Sequence, residues 1–166
     1  MGQLIRVLVA DDNAVVRKEL CSLLTSRYGI EIVGEAGTGD ETIRQARRLH
    51  PDVVLMDLVM PGKNGIEATQ EIKREVPGSR VLILTSFSDE KQIVAAVRAG
   101  AVGYVLKDAS PDELAHAIHG AYMGKVSLPA HMLRLAQADS PEGIRQEIAE
   151  NDANGINKLP NAEHPM

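Results

Sequence analysis

Three aspartates, a threonine and a lysine stand at the ends of four short apolar runs. Asp11-Asp12 closes the run that begins at Leu4, Asp57 follows Val53–Met56, Thr85 follows Val81–Leu84, and Lys107 follows Val102–Leu106. In an open parallel α/β sheet, ligands bind beyond the carboxyl ends of the strands, near the point where the winding reverses. If these runs are strands of one such sheet, all five side chains face a common edge. Crowded carboxylates raise one another's pKa unless a cation joins them. A hard divalent ion with oxygen ligands is therefore expected, and Mg²⁺ suits a site with few carboxylates and several waters. Beside that ion Asp57 has the character of a nucleophile, because a carboxylate can attack phosphorus to give an aspartyl phosphate. The oxygens of the transferred group need neutralising, which Mg²⁺ and the Lys107 ammonium can do. Thr85 supplies a hydroxyl able to move toward a new phosphate. Ser86 is the competing hydroxyl, and strand alternation favours Thr85.

The elements that would position these residues alternate from residue 4 to about residue 122. Five runs rich in Val, Ile and Leu, namely Leu4–Val9, Ile30–Glu35, Val53–Met56, Val81–Leu84 and Val102–Leu106, read as strands. Their continuous apolar composition is what a strand covered on both faces requires, so the sheet is expected to be parallel with helices on each side. The first helical segment carries Val16, Leu20, Leu23 and Leu24 as one apolar stripe. The fourth opens after Ser88 with Asp89 and Glu90, where acids suit the helix dipole, and stops near Gly100. The fifth opens on Ser110-Pro111-Asp112-Glu113, an N-cap serine with a first-turn proline and a capping-box glutamate.

Composition limits the alternatives. The 166 residues suit one domain and a tail, and 44% hydrophobic content builds a core. That core must be aliphatic, since the chain has no Trp, one Phe (Phe87) and three Tyr. A net charge of −5 argues against a dedicated nucleic-acid surface. A single cysteine, Cys21, cannot close an internal disulfide, so a reducing cytosol is expected. The start of the chain lacks a signal-peptide pattern, and no run is long enough for a membrane helix. A cytoplasmic protein without membrane attachment is the expectation.

The segments VLVADDN, VVLMDLVMPGKNG, VLILTS and GYVLKDA, in this order and spacing, resemble the receiver domain of two-component response regulators over roughly residues 4–122. VGEAGTGDETI and the GYVLKD ending are most similar to the NarL/LuxR-type subfamily. The resemblance implies a flavodoxin-like doubly wound sheet of five parallel strands in the order 2-1-3-4-5, with five flanking helices. It implies that Asp57 is the phosphoacceptor, that Asp12 and Asp57 ligate Mg²⁺ with Asp11 assisting, and that the main-chain carbonyl of Val59 is a further ligand. Thr85 and Tyr104 match the switch pair, and Lys107 matches the phosphate-pairing lysine. A sensor histidine kinase is the implied phosphate donor, a homodimer on phosphorylation a possible state, and DNA a partner only through an effector. No catalysis beyond self-catalysed phosphotransfer and dephosphorylation is implied. Two departures stand out. Asp108 follows Lys107 where many receivers have proline, so a cis peptide is not assumed there. Val59 and Phe87, two residues beyond Asp57 and Thr85, are both apolar, and neither can orient a hydrolytic water. A long-lived acyl phosphate is the expectation.

Plainer roles compete for several residues. Asp11-Asp12 could be helix-capping acids of a turn, and Lys107 a surface lysine at a strand end. Tyr104 sits in an apolar strand, where a tyrosine commonly fills core. His116 and His119 lack a third ligand nearby and read as a solvated helix face. Arg44, Arg47 and Arg48 read likewise, and Cys21 as inert packing. Met56, Met60 and the Pro61-Gly62 turn read as structural, with Gly62 or Gly65 supplying backbone freedom. Two other function classes compete. An aspartate-based phosphatase would need an acid two residues after its nucleophile, where Val59 stands. A flavodoxin-like cofactor carrier would need a phosphate-cradling loop after the first strand, and Asp11-Asp12-Asn13 would repel a phosphate without metal.

Residues 1–124 are expected to be the phosphoacceptor domain and 125–166 a linker helix over Leu128–Ala138 with an acidic, flexible tail. A short helix over Glu142–Glu150 is the one further element considered. The tail shows neither a second apolar-periodic helix pair nor a basic recognition helix. The expectation is a chain that ends in the linker to a helix-turn-helix effector; a stand-alone receiver acting through protein contacts or a phosphorelay is the alternative.

Overall fold

A computed structural model describes residues 2–86, 90–125, 128 and 130–136. The chain divides into two units, Met1–Leu128 and Pro129–Met166. In the first, five strands alternate with five helices: β1 Ile5–Ala10, α1 Ala14–Leu23, β2 Ile30–Ala36, α2 Gly39–Leu49, β3 Val53–Asp57, α3 Gly65–Glu75, β4 Arg80–Thr85, α4 Glu90–Ala99, β5 Gly103–Leu106 and α5 Pro111–Tyr122. A single 3-10 turn, Ser26–Tyr28, precedes β2. The sheet order is β2-β1-β3-β4-β5, and every pairing is parallel. This is the doubly wound, flavodoxin-like arrangement that the resemblance implied.

The continuous apolar runs have a physical reason. Successive residues of a strand point to opposite faces, and here both faces are covered. Leu8, Val54, Met56, Val81 and Ile83 pack under α2, α3 and α4 with Ile43, Ala46, Ala68, Ile72 and Ala96. Val7, Val9, Val53, Leu55, Leu82 and Leu84 pack under α1 and α5 with Leu20, Leu114, Ala115 and Ile118. Both faces fill with aliphatic side chains, joined on the first by Met56, Met60 and the partly buried Tyr104 and on the second by the partly buried Tyr28.

Several boundaries differ from the reading of the sequence. The third and fourth strands run one residue further, taking in Asp57 and Thr85, because ladder pairing belongs to the backbone and tolerates a polar side chain at a strand end. Val102 lies outside β5, although its N–H still donates to the Val81 carbonyl at 2.8 Å. In α1 Leu20 is buried, as is Leu24, which caps the helix just beyond its end, while Leu23 turns outward at 39% exposure. The helix cap is Asn13, whose Oδ1 accepts from Val15 and Val16, so Asp11 and Asp12 are not the capping acids of α1. The capping box at Ser110 and Glu113 is present as read. Gly100 takes φ +126° directly after α4.

In the second unit the helix α6 runs over Ala130–Ala136, so Leu128 is not helical, while Gln137 and Ala138 lie outside the described residues. Leu128 precedes Pro129, and a residue before proline is pushed out of helical conformation. Ser88, Asp89 and Phe87, the Glu142–Glu150 helix and the acidic tail lie outside the described residues. No helix among the described residues is long and apolar enough to cross a membrane.

Candidate functional site

The winding reverses between β1 and β3, which lie side by side while their following helices cover opposite faces. Asp11 and Asp12 leave the end of β1, and Asp57 ends β3. One carboxylate oxygen from each of the three can lie within 4.8 Å of the others. Asp11 is fully buried, Asp57 nearly so, and Asp12 is exposed at the rim.

Each acid is held differently. The Asp11 N–H donates to the Ala36 carbonyl (3.0 Å), and its Oδ1 accepts from the Asn13 N–H (2.9 Å). Asp57 Oδ1 accepts from the Val59 N–H at 3.3 Å. Lys107, just beyond β5, brings its ammonium between the two buried acids, 3.0 Å from Asp11 Oδ2 and 3.3 Å from Asp57 Oδ2. The contact to Asp57 is a hydrogen bond. The contact to Asp11 is an ion pair that misses hydrogen-bond geometry, and Asp11 Oδ2 is the one buried side-chain polar atom among the described residues without a hydrogen bond. The Lys107 main chain is itself tied down, its N–H donating to the Thr85 carbonyl at 2.8 Å.

The electrostatics follow from this crowding. Burial, and then the charge of Asp11, push the Asp57 carboxyl above the ordinary aspartate range against the pull of Lys107. Burial alone would depress Lys107, but the Asp11 and Asp57 carboxylates outweigh it and hold the ammonium above the ordinary lysine value. The site thus has more negative charge than one ammonium balances. A buried carboxylate oxygen that is ion-paired to Lys107 but lacks a hydrogen bond, two further carboxylates and an all-oxygen donor set fit a small hard divalent cation.

The remaining predicted residues lie around this centre. Val59, two residues beyond Asp57, is 78% exposed. Thr85 ends β4 as a buried residue, and strand alternation places it on the face of Val81 and Ile83. Tyr104, opposite Ile83 in the β4–β5 register, packs partly buried against the same cluster, so both are on the side of α4. The Lys107–Asp108 peptide is trans. His119 is exposed and its ring nitrogen bonds the Tyr28 carbonyl at 2.7 Å, and neither it nor His116 joins a group of metal-ligating side chains among the described residues. Arg47 is exposed yet not merely solvated, since it pairs with Glu71 and Glu75 across to α3.

Sequence reasoning missed two features that shape the site. Gly65, at the start of α3, does not supply a positive φ. A Cβ there would stand 2.3 Å from the Asp57 carbonyl oxygen, so glycine lets α3 begin directly beneath the acid. Gly62, at φ +71°, is the position that needs backbone freedom. Arg17 of α1 donates to the Asp11 carbonyl at 2.6 Å. No local pattern in the sequence pointed to it, because the second partner of Arg17, Glu35, comes near Asp11 only when β1 and β2 pair.

Comparison with known proteins gives a consistent picture. The chain is 45% identical over 125 residues to the transcriptional regulatory protein LiaR of Bacillus subtilis, covering 75% of this chain and 59% of LiaR. It is 41% identical over 121 residues to the response regulator protein VraR of Staphylococcus aureus, covering 73% of this chain and 58% of VraR. It therefore spans less than two thirds of these relatives. Among solved structures, a LuxR-family two-component response regulator from Aurantimonas sp. SI85-9A1 matches with TM-score 0.72 and 36% identity, covering 91% of this chain and 99% of that one. The signal receiver domain of NarL from Mycobacterium tuberculosis matches with TM-score 0.71 and 27% identity over 75% of this chain and 100% of that one. Residues 7–119 match the response regulator receiver domain, and with the acid cluster, lysine and sheet order in place the chain belongs to that family.

Proposed function

We propose that this chain is a phosphorylation switch in which Asp57 accepts a phosphoryl group from a sensor histidine kinase. The observation that carries this reading is the Lys107 ammonium seated between Asp57 and Asp11 at 3.3 and 3.0 Å, with Asp12 close by. Asp11, Asp12, Asp57 and the Val59 carbonyl would hold Mg²⁺. When bound, Mg²⁺ neutralises oxygens of the incoming phosphoryl group and relieves the repulsion between the carboxylates. An Asp57 oxygen forms the new bond to phosphorus as the bond to the donor's imidazole nitrogen breaks, and that electron pair leaves with the imidazole. Lys107 then pairs with the phosphoryl oxygens.

The added charge of about −1.5 to −2 biases the switch. Thr85 moves its hydroxyl toward the phosphate, and Tyr104, on the same side of the sheet, follows, which reshapes α4, β5 and α5. Residues 1–124 form the phosphoacceptor unit, and 125–166 lead to a transcriptional output. The names of LiaR and of the LuxR-family neighbour support that output over a stand-alone receiver or phosphorelay role. The chain acts in the cytoplasm.

Beryllofluoride, a phosphomimetic used with a related receiver domain, provides the test. With Mg²⁺ present, amide NMR shifts are expected at Asp57 and along α4, β5 and α5, and Asp57→Asn is expected to abolish them. Shifts confined to the acid cluster would contradict the switch.

A further inference from the structure

The acidic edge is held in place by a residue with no part in the chemistry above. Arg17 of α1 uses two different nitrogens in two directions. Its Nη1 donates to the main-chain carbonyl of Asp11 at 2.6 Å, and its Nε pairs with Glu35 Oε1 of β2 at 3.2 Å. The pair is partly shielded, Arg17 being 21% and Glu35 38% exposed. Glu35 directly precedes Ala36, whose carbonyl accepts the Asp11 N–H. The Asp11 backbone is thus gripped on both sides, and both grips lead to the end of β2. A planar guanidinium can serve two acceptors at fixed angles, whereas an ammonium is a point charge without that fork.

The gripped carbonyl belongs to the peptide that joins Asp11 to Asp12. Rotation of that peptide would swing the exposed Asp12 carboxylate relative to the buried Asp11, which Asn13 and Lys107 hold separately. We propose that Arg17, locked by Glu35, is a positioning residue for the divalent cation, fixing the Asp11–Asp12 peptide so that the carboxylates converge. The proposal rests on the reading that Asp11, Asp12 and Asp57 hold Mg²⁺.

Charge and position predict opposite signs, which makes the proposal testable. Arg17 is a cation beside a cation site, so deleting its charge alone would tighten Mg²⁺ binding. Losing the grip would weaken it. Groups that orient metal ligands commonly change affinity 10- to 100-fold, and Arg17 acts only through the main chain, so a loss of about tenfold is expected.

The experiment is calorimetric titration of the full chain with Mg²⁺ for wild type, Arg17→Met, Arg17→Lys and Asp12→Asn, with circular dichroism to establish folding. Arg17→Met is expected to weaken binding about tenfold and Arg17→Lys to fall between it and wild type. Unchanged or tighter binding by a folded Arg17→Met overturns the proposal. If that variant does not fold, Arg17→Lys decides, because it keeps the charge: weaker binding supports the grip and an unchanged constant overturns it. Absence of binding in wild type, or binding that Asp12→Asn leaves untouched, overturns the metal-site reading itself and this proposal with it.

Discussion

Asp57 and Val59 sit two residues apart and have opposite characters. Asp57 is nearly buried and crowded by Asp11, whereas Val59 is 78% exposed and its side chain offers no hydrogen bond to a water approaching the phosphate. Val59→Asn should therefore leave the fold intact and shorten the life of the acyl phosphate. An increase of about tenfold in dephosphorylation rate is expected, the worth of one placed hydrogen bond of ~1.4 kcal/mol. Phosphate decay followed by intact mass measures it, and an unchanged rate would contradict the account. Cys21 is a separate case. Burial, then the neighbouring Glu35, push its thiol up to about 11, so at about pH 8 it is almost wholly protonated and a poor nucleophile. Iodoacetamide should label the folded chain slowly and the denatured chain quickly; fast labelling of the folded chain would contradict this. The convergence of Asp11, Asp12, Asp57 and Lys107 at one sheet edge was legible because each stands at the end of an apolar run. Arg17 was not, because its partners Asp11 and Glu35 become neighbours only when β1 and β2 pair.

At the scale of elements, five strands could be read because covering both faces forces continuous aliphatic runs, and α5 because its capping box is local. Contacts between segments could not be read. Gly65 looks like a turn residue in the sequence, yet its role is the close approach of α3 to β3. Gly65→Ala would drive a Cβ to 2.3 Å from the Asp57 oxygen and 2.7 Å from Leu58 Cα, both backbone atoms that cannot rotate away. A loss of about 1–3 kcal/mol is expected, at or above the upper end because backbone must move. Urea unfolding measures it, and a variant as stable as wild type would show that the α3 start can shift freely. The outward turn of Leu23 was equally hidden, since an apolar stripe does not state how wide a face the sheet covers. Ion pairs from Arg47 and Lys63 to Glu71, and from Arg47 to Glu75, join α2 and the β3–α3 loop to α3. Exposed pairs of this kind add little stability; here they hold the segment that follows Asp57.

At the scale of the molecule, one sheet edge gathers acids from two strand ends and a lysine from a third. The chain spans 59% of the length of LiaR. Phosphate acceptance by Asp57 can be tested directly. Wild type and Asp57→Asn should be incubated with acetyl phosphate and Mg²⁺, and their intact masses compared. A gain of one phosphoryl group in wild type alone, lost on chelation of Mg²⁺, is the predicted result. An equal gain in both proteins, or none in a wild type that binds Mg²⁺, would contradict the assignment of Asp57 as phosphoacceptor.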